Sequence, residues 1–323
     1  MKIGAWIHTH DELDLDPQIE LAARNGLTTI RSYGYDYAKK AAPSLLVQGM
    51  SLLGGIHVDS AGLLRDWRSQ VKLDQLEAYH RLGVTLEGIC AGNELREGGD
   101  EPDKKCFTAR LSFGLANVLA SYRGWLNERG FTTPLTYAME GIVFDAKGNF
   151  LEWLWPLVDA VDILGVNLYP MGNEAWFTFG AFEESRRFLS DPRVRHDRLA
   201  AFEYQLRRLL QQISPTGKPV ILTETGFPSA VGYQLEGERT VVPTSDNAAY
   251  EEAMLEFLSI IHRANAEYGG IIQALYFYEW RDNLHHAKIW NVEASPIHTA
   301  FGLCDRDGNP KVDIRKVIAS PDL

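Results

Sequence analysis

The stretch Pro219-Val220-Ile221-Leu222-Thr223-Glu224-Thr225-Gly226-Phe227-Pro228-Ser229 decides how this chain is read. A short apolar run closed by Gly and Pro reads as a strand buried on both faces. Glu224 stands at its C-terminal tip. Nothing apolar pairs with a carboxylate there, so Glu224 must face a polar cleft or a partner. A second stretch repeats the design: Leu86-Glu87-Gly88-Ile89-Cys90-Ala91 runs into Gly92-Asn93-Glu94.

Working outward, strands are expected at Lys2–Ile7, Thr28–Tyr33, Ser51–Val58, Leu86–Ala91, Leu135–Met139, Asp162–Leu168, Val220–Thr223 and Ile272–Tyr278. Between them the 3.6-residue pattern predicts helices, among them Tyr37–Val47, one long helix over Trp67–Leu82, Phe107–Arg129 and Arg198–Ile213. Gly26, Gly83 and Gly130 act as stop signals, and Ser245 or Asp246 as the cap of a helix reaching Asn265. Eight strand–helix units without a linker predict a closed (β/α)8 TIM barrel, with 1–323 as one domain. A doubly wound open sheet is the alternative. It usually shows a Gly-rich turn after the first strand, whereas here Trp6-Ile7-His8-Thr9-His10 follows.

The net charge of −11, with no dense Lys/Arg run, argues against nucleic acid as a partner. Three cysteines (Cys90, Cys106, Cys304) make no disulfide framework, leave room for one bridge at most, and include no C-x-x-C. No apolar run approaches the roughly 18 residues of a membrane span, so no membrane role is expected. Met1-Lys2 runs straight into strand-like sequence, which reads as cytoplasmic; a removed signal peptide would make the protein secreted or periplasmic. Oligomeric state leaves no trace in the sequence.

In a barrel all strand tips share one face. His8, Tyr33, Asp59, Glu94, Glu140, Tyr169, Glu224 and Glu279 or Trp280 are therefore expected to converge. This acidic and aromatic ring suits a neutral polyhydroxylated ligand: carboxylates accept from hydroxyls, and aromatic faces cover sugar C–H faces. Two glutamates across such a cleft can cut a glycosidic bond. At about 5–5.5 Å separation one acts as nucleophile and configuration is retained; at about 6.5–9.5 Å water enters and it is inverted.

The Asn93-Glu94 and Glu224 tips resemble clan A of the retaining glycoside hydrolases. A finer similarity is to glycoside hydrolase family 17, the β-1,3-glucanase family. Thr223-Glu224-Thr225-Gly226-Phe227-Pro228-Ser229 is similar to its E-T-G-W-P-S signature, with Phe227 in place of Trp. Val166-Asn167-Leu168-Tyr169-Pro170 resembles its N-x-Y-P, and Asn247-Ala248-Ala249-Tyr250 its N-A-x-x-Y. Phe301-Gly302-Leu303 with Gly308-Asn309-Pro310-Lys311 resembles its closing F-G-L…G-x-P-K. The family's opening G-x-N-Y-G is absent, and Arg31-Ser32-Tyr33 matches its R-x-Y only loosely.

The resemblance implies Glu94 as acid/base, Glu224 as nucleophile, Asn93 on the sugar 2-hydroxyl and Tyr169 as the group holding Glu224. Trp280 is expected to floor the subsite of the attacked ring and Trp176 to stack a neighbouring sugar. Tyr33, Arg31 and Glu279 complete the expected substrate contacts. An oligo- or polysaccharide is the implied partner, with no cofactor and no metal. β-1,3-Glucan leads as substrate; β-mannan, β-1,4-glucan or transglycosylation on the same glucans stand as alternatives. Two further classes stay open. His8-Thr9-His10 resembles the metal-binding H-x-H of amidohydrolase barrels, but Glu140 and Tyr169 stand where that class needs His. A non-catalytic glycan-binding barrel should lack one of the two glutamates, and both are present.

Overall fold

The computed structural model describes residues 1–7, 15–97, 107–140, 150–171, 180–236, 240–283 and 296–319. Eight parallel strands close into a barrel: β1 (Lys2–Trp6), β2 (Thr29–Arg31), β3 (Ser51–Ile56), β4 (Leu86–Asn93), β5 (Leu135–Glu140), β6 (Leu164–Asn167), β7 (Val220–Thr225) and β10 (Ile272–Phe277). The extra pair, β8 (Ala230–Glu236) and β9 (Thr240–Ser245), is an antiparallel hairpin outside the barrel. Helices α1 (Leu15–Arg24), α2 (Tyr35–Gln48), α3 (Ser60–Arg65), α4 (Leu73–Arg81), α5 (Ala109–Glu128), α6 (Trp155–Ala160), α7 (Gly180–Ser190), α8 (Pro192–Ile213) and α9 (Asn247–Glu267) connect the strands. The (β/α)8 expectation is met.

The two faces of each strand are filled by different layers. Leu53, Cys90, Ala138, Ile163, Ile221, Ala274 and Tyr276 plug the barrel interior. Their neighbours Leu52, Ile89, Ala91, Val166, Val220, Leu222 and Leu275 face outward against the helices. This period-two split is why the strands read as continuous apolar runs. The packed interior also means that a ligand meets the barrel at an end, not through a pore.

Beyond α7 and the earlier start of α8 at Pro192, two departures from the expected elements have a clear local cause. The Trp67–Leu82 stretch is not one helix. A 3-10 turn, Trp67–Gln70, is capped by the Asp66 carboxylate accepting from Arg68 N, and α4 begins only at Leu73. The break is held by Lys72 N donating to Tyr122 Oη at 3.1 Å and Asp59 N donating to Gln70 Oε1 at 2.8 Å. Asp59, expected at the cleft, instead caps α3 by accepting from Gly62 N. Secondly, the chain forms the β8–β9 hairpin before Asp246 caps α9.

Behind the tip of β7 lies a buried knot. Lys311 is 4% exposed. Its Nζ donates to Asp282 Oδ1 (2.7 Å), Ser229 Oγ (2.8 Å) and Ala300 O (3.2 Å), and lies 5.3 Å from the centre of the Tyr250 ring. Tyr250 packs edge-on against Phe227. The segment from Phe301 to Cys304 pairs with the backbone of Glu279, Trp280 and Asp282. Gly302 is required there, because a Cβ would stand 2.2 Å from Asp282 N. Three of the family-like motifs thus meet in one structural cluster that ties the end of β7 to the end of β10. Removing the lysine strands a carboxylate with few other partners. Lys311→Met should therefore cost about 3 kcal/mol in urea unfolding, and adding Asp282→Leu should recover most of it. Equal loss in single and double variants would show that the ion pair carries none of this.

Candidate active site

Both carboxylate-bearing strands carry one extra residue just before the glutamate. Against β5, β4 advances from Cys90 to Asn93 while its partner advances only from Thr136 to Ala138. Against β6, β7 advances from Leu222 to Glu224 while its partner advances only from Val166 to Asn167. An extra residue reverses the in–out alternation and re-aims the next side chain. Ile221 lies in the barrel layer, so strict alternation would send Glu224 outward; the bulge turns it to the mouth. On β4 the backbone is further bent by Gly92 (φ 85°) and by Glu94 itself (φ 47°). A non-glycine residue in this region costs of order 1 kcal/mol, and such strain gathers at functional sites.

Glu224 is 6% exposed and is held by three donors. Arg31 Nη1 reaches its Oε1 at 2.9 Å, Tyr33 Oη donates to the same oxygen, and Tyr169 Oη donates to Oε2 at 2.8 Å. Arg31, 1% exposed, also donates to Thr223 O (2.6 Å) and to Asn93 Oδ1 (2.8 Å), and lies over the Tyr33 ring. Burial opposes its charge, but Tyr33 and Glu224 beside it raise its pKa above the ordinary value. Burial, then the Glu224 charge, holds the Tyr169 phenol well above its usual range. Burial does the same for Tyr33, with Arg31 opposing and Glu224 reinforcing. Both phenols therefore stay donors. This is a nest built for an anion.

Glu94 has the opposite surroundings. Asn167 Nδ2 donates to its Oε1 at 2.8 Å, while Asn167 Oδ1 is fixed by the Thr223 hydroxyl at 2.7 Å. Burial first, and then the Glu224 charge, pushes its pKa up to about 7; the Asn167 bond opposes them. Asn93 lies between the two glutamates. Its Oδ1 accepts from Arg31 and from Asn167 (3.2 Å), which turns its amide NH2 away from both partners.

An aromatic wall runs around the Glu224 side. Trp6 meets Tyr33 edge-on (4.7 Å between ring centres) and stacks on Tyr278 (5.1 Å); Tyr278 and Tyr169 both pack against Phe301.

The expected residues fall into three groups. Glu94, Asn93, Glu224, Arg31, Tyr33 and Tyr169 are brought together. Arg31 and Tyr33 bond the Glu224 carboxylate itself. Trp280 and Glu279 are fully buried, Trp280 as part of the core, and the half-buried ring at the tip of β10 is Tyr278. Trp176 and the His8/His10 pair lie outside the described residues. Among the described residues no group of three or more His, Cys, Asp or Glu is placed to hold a metal, and no helix is long and apolar enough to cross a membrane. Trp6, Asn167 and Tyr278 were missed as site residues. Asn167 had a signal, since it is the Asn of the quoted N-x-Y-P stretch.

No protein-family model and no curated protein sequence matches the chain. Its fold matches solved structures. An endo-laminarinase from Formosa aligns over 96% of this chain and 84% of its own, with a TM-score of 0.65 and 14% identity. A β-1,3-glucanase and allergen of Cryptomeria japonica pollen aligns over 97% and 98%, with a TM-score of 0.62 and 13% identity. For a β-glucuronidase of Ruminococcus gnavus the figures are 100% and 50%, 0.62 and 12%, so the chain spans half of that protein. What these alignments share with the chain is the barrel.

The raised Glu94 makes a prediction that needs no substrate. A carboxyl whose folded pKa lies above its unfolded value gives up stability as pH rises toward the folded value. Glu94→Gln abolishes that loss. Relative to the parent, its stability should improve by about 2 kcal/mol between pH 4 and pH 8, after allowing for screening at the open mouth. A pH-independent difference in urea unfolding would show that Glu94 is not perturbed.

Proposed function

We propose that the chain is a retaining β-glycoside hydrolase, similar to family 17 of clan A, acting on a β-glucan and foremost on β-1,3-glucan. The observation that carries this reading is the unlike setting of the two strand-tip carboxylates: one is nested among an arginine and two phenols, the other holds a proton near neutrality. Such a split is how two glutamates take the separate tasks of nucleophile and acid.

In the first step Glu224 attacks the anomeric carbon while Glu94 gives its proton to the leaving glycosidic oxygen. The products are a glycosyl ester on Glu224 and a freed sugar. In the second step Glu94, now ionised, takes a proton from water as the water attacks the same carbon and Glu224 leaves. Arg31, Tyr33 and Tyr169 keep the nucleophile in one rotamer. The Asn93 amide is the donor for the 2-hydroxyl of the attacked ring. The Trp6–Tyr278 stack supplies the flat apolar surface that Trp280, buried in the core, does not. Trp176 remains proposed for a neighbouring sugar.

Glu224→Gln should lower turnover by about four orders of magnitude or more while keeping the folded circular dichroism spectrum, at some cost in thermal stability because Arg31 keeps its buried charge. Residual activity near the parent level would remove Glu224 from the role. Oligosaccharides of the laminari, cello, mixed-linkage and manno series identify the substrate: the reading expects cleavage of the laminari series, with the β anomer first in proton NMR. Longer products than the starting sugar would mark transfer in place of hydrolysis, and an α anomer appearing first would rule out retention. Activity should fall as pH rises through about 7, where Glu94 loses its proton. A rate that holds to pH 9 would contradict its assignment as acid.

A further inference from the structure

The hydrogen bonds that join the two glutamates have a direction, and an arginine sets it at one end. A guanidinium only donates. Arg31 Nη2 meets the Asn93 side chain at 2.8 Å, so the atom it meets is the Asn93 carbonyl oxygen. That oxygen also meets the Asn167 side chain at 3.2 Å, so Asn167 must present its NH2 there. The same NH2 lies 2.8 Å from Glu94 Oε1. The Asn167 carbonyl oxygen is left to face the Thr223 hydroxyl at 2.7 Å, which must donate to it. Turning Asn93 over would set two donors face to face; turning Asn167 over would set two acceptors face to face. Asn167 is 2% exposed and Thr223 fully buried, which leaves little room for water to complete either arrangement.

We infer that this fixed order of donors, from Arg31 through Asn93 and Asn167 with Thr223 behind it, keeps the Glu94 proton on Oε2. Asn167 and Thr223 are then positioning residues, which touch neither substrate nor the transferred proton. Their part in catalysis rests on reading Glu94 as the acid.

A carboxylic acid has one carbonyl oxygen, a good acceptor, and one hydroxyl oxygen, a poor one. With Asn167 donating to Oε1, that oxygen is the carbonyl and Oε2 carries the hydrogen. A proton on Oε1 would lie against the Asn167 NH2, out of reach of a glycosidic oxygen. When the Oε2–H bond breaks, the proton passes to the leaving oxygen and the electron pair stays on a carboxylate whose Oε1 Asn167 still holds. The same Oε2 later takes the proton of the attacking water. Because Arg31 also bonds Glu224, one guanidinium orients the nucleophile and sets which oxygen of the acid is protonated.

Neutron diffraction from a perdeuterated crystal at about pH 5, below the Glu94 pKa of about 7, locates the deuterons directly. The expected map has one deuteron on Glu94 Oε2, the two Asn167 amide deuterons aimed at Glu94 Oε1 and Asn93 Oδ1, and the Thr223 deuteron aimed at Asn167 Oδ1. A deuteron on Oε1, none on either oxygen, or a reversed amide overturns the inference. Kinetics test the Thr223 hydroxyl. Thr223→Ser and Thr223→Ala both lose the methyl group, and only Thr223→Ser keeps the donor. On laminari-oligosaccharides kcat/KM should be about tenfold lower for Thr223→Ala than for Thr223→Ser, the worth of one buried hydrogen bond. On a dinitrophenyl glycoside, whose leaving group needs no proton, the two should agree within about twofold. Equal ratios on both substrates would mark Thr223 as merely structural and overturn its role. Deuterons placed as stated in a protein that cleaves no glycan would instead strike the hydrolase reading and leave the placement of the proton standing.

Discussion

The site depends on a difference in surroundings between two identical side chains. Glu224 is met by a buried arginine and two phenols; Glu94 is met by one amide and by the charge of Glu224. Neither state would last alone. Without Arg31, the Glu224 anion would be buried with only phenols for company. Without the Glu224 charge, Glu94 would lose one of the two forces that keep its proton. The two environments are therefore one network of hydrogen bonds, running from Glu224 through Arg31 and Asn93 to Asn167 and Glu94.

The barrel makes this network possible by bringing strands that are far apart in sequence to one rim. Closure alone would not aim the carboxylates. A single extra residue in β4 and another in β7 reverse the alternation at the last position before each tip. The Lys311 knot then ties the end of β7, which carries Glu224, to the end of β10, which leads into Tyr278. Knot and cleft lie side by side: Phe227, Tyr250, Gly302 and Lys311 build the knot, and Glu224, on the same β7 stretch as Phe227, lies among Arg31, Tyr33 and Tyr169.

Much of this was legible in the sequence because it rests on periodicity. Eight apolar runs alternating with helical stretches pointed to the barrel, and the charged ends of two of those runs pointed to Glu94 and Glu224. What was not legible rests on register and tertiary contact. A β-bulge leaves no composition signal. The end of the last strand offered Tyr278, Glu279 and Trp280 in a row, and only pairing with the Phe301 to Cys304 segment decides which ring faces the cleft. Asp59 read as a tip residue because carboxylates at strand ends look alike; its use as a helix cap depends on where α3 starts. The sequence offers no element between Thr223 and the Ser245-Asp246 cap, and the β8–β9 hairpin lies there.

The central claim is that Glu224 becomes covalently bonded to sugar. It is tested most directly by incubating the protein with a 2-deoxy-2-fluoro-β-laminaribioside bearing a good leaving group. The fluorine slows both steps, and the leaving group restores the first, so the glycosyl-enzyme accumulates. The account predicts an intact mass raised by one glycosyl unit, with the adduct located by peptide mass spectrometry on Glu224. An adduct on Glu94, or steady turnover of laminari-oligosaccharides that this reagent neither slows nor labels, would contradict it.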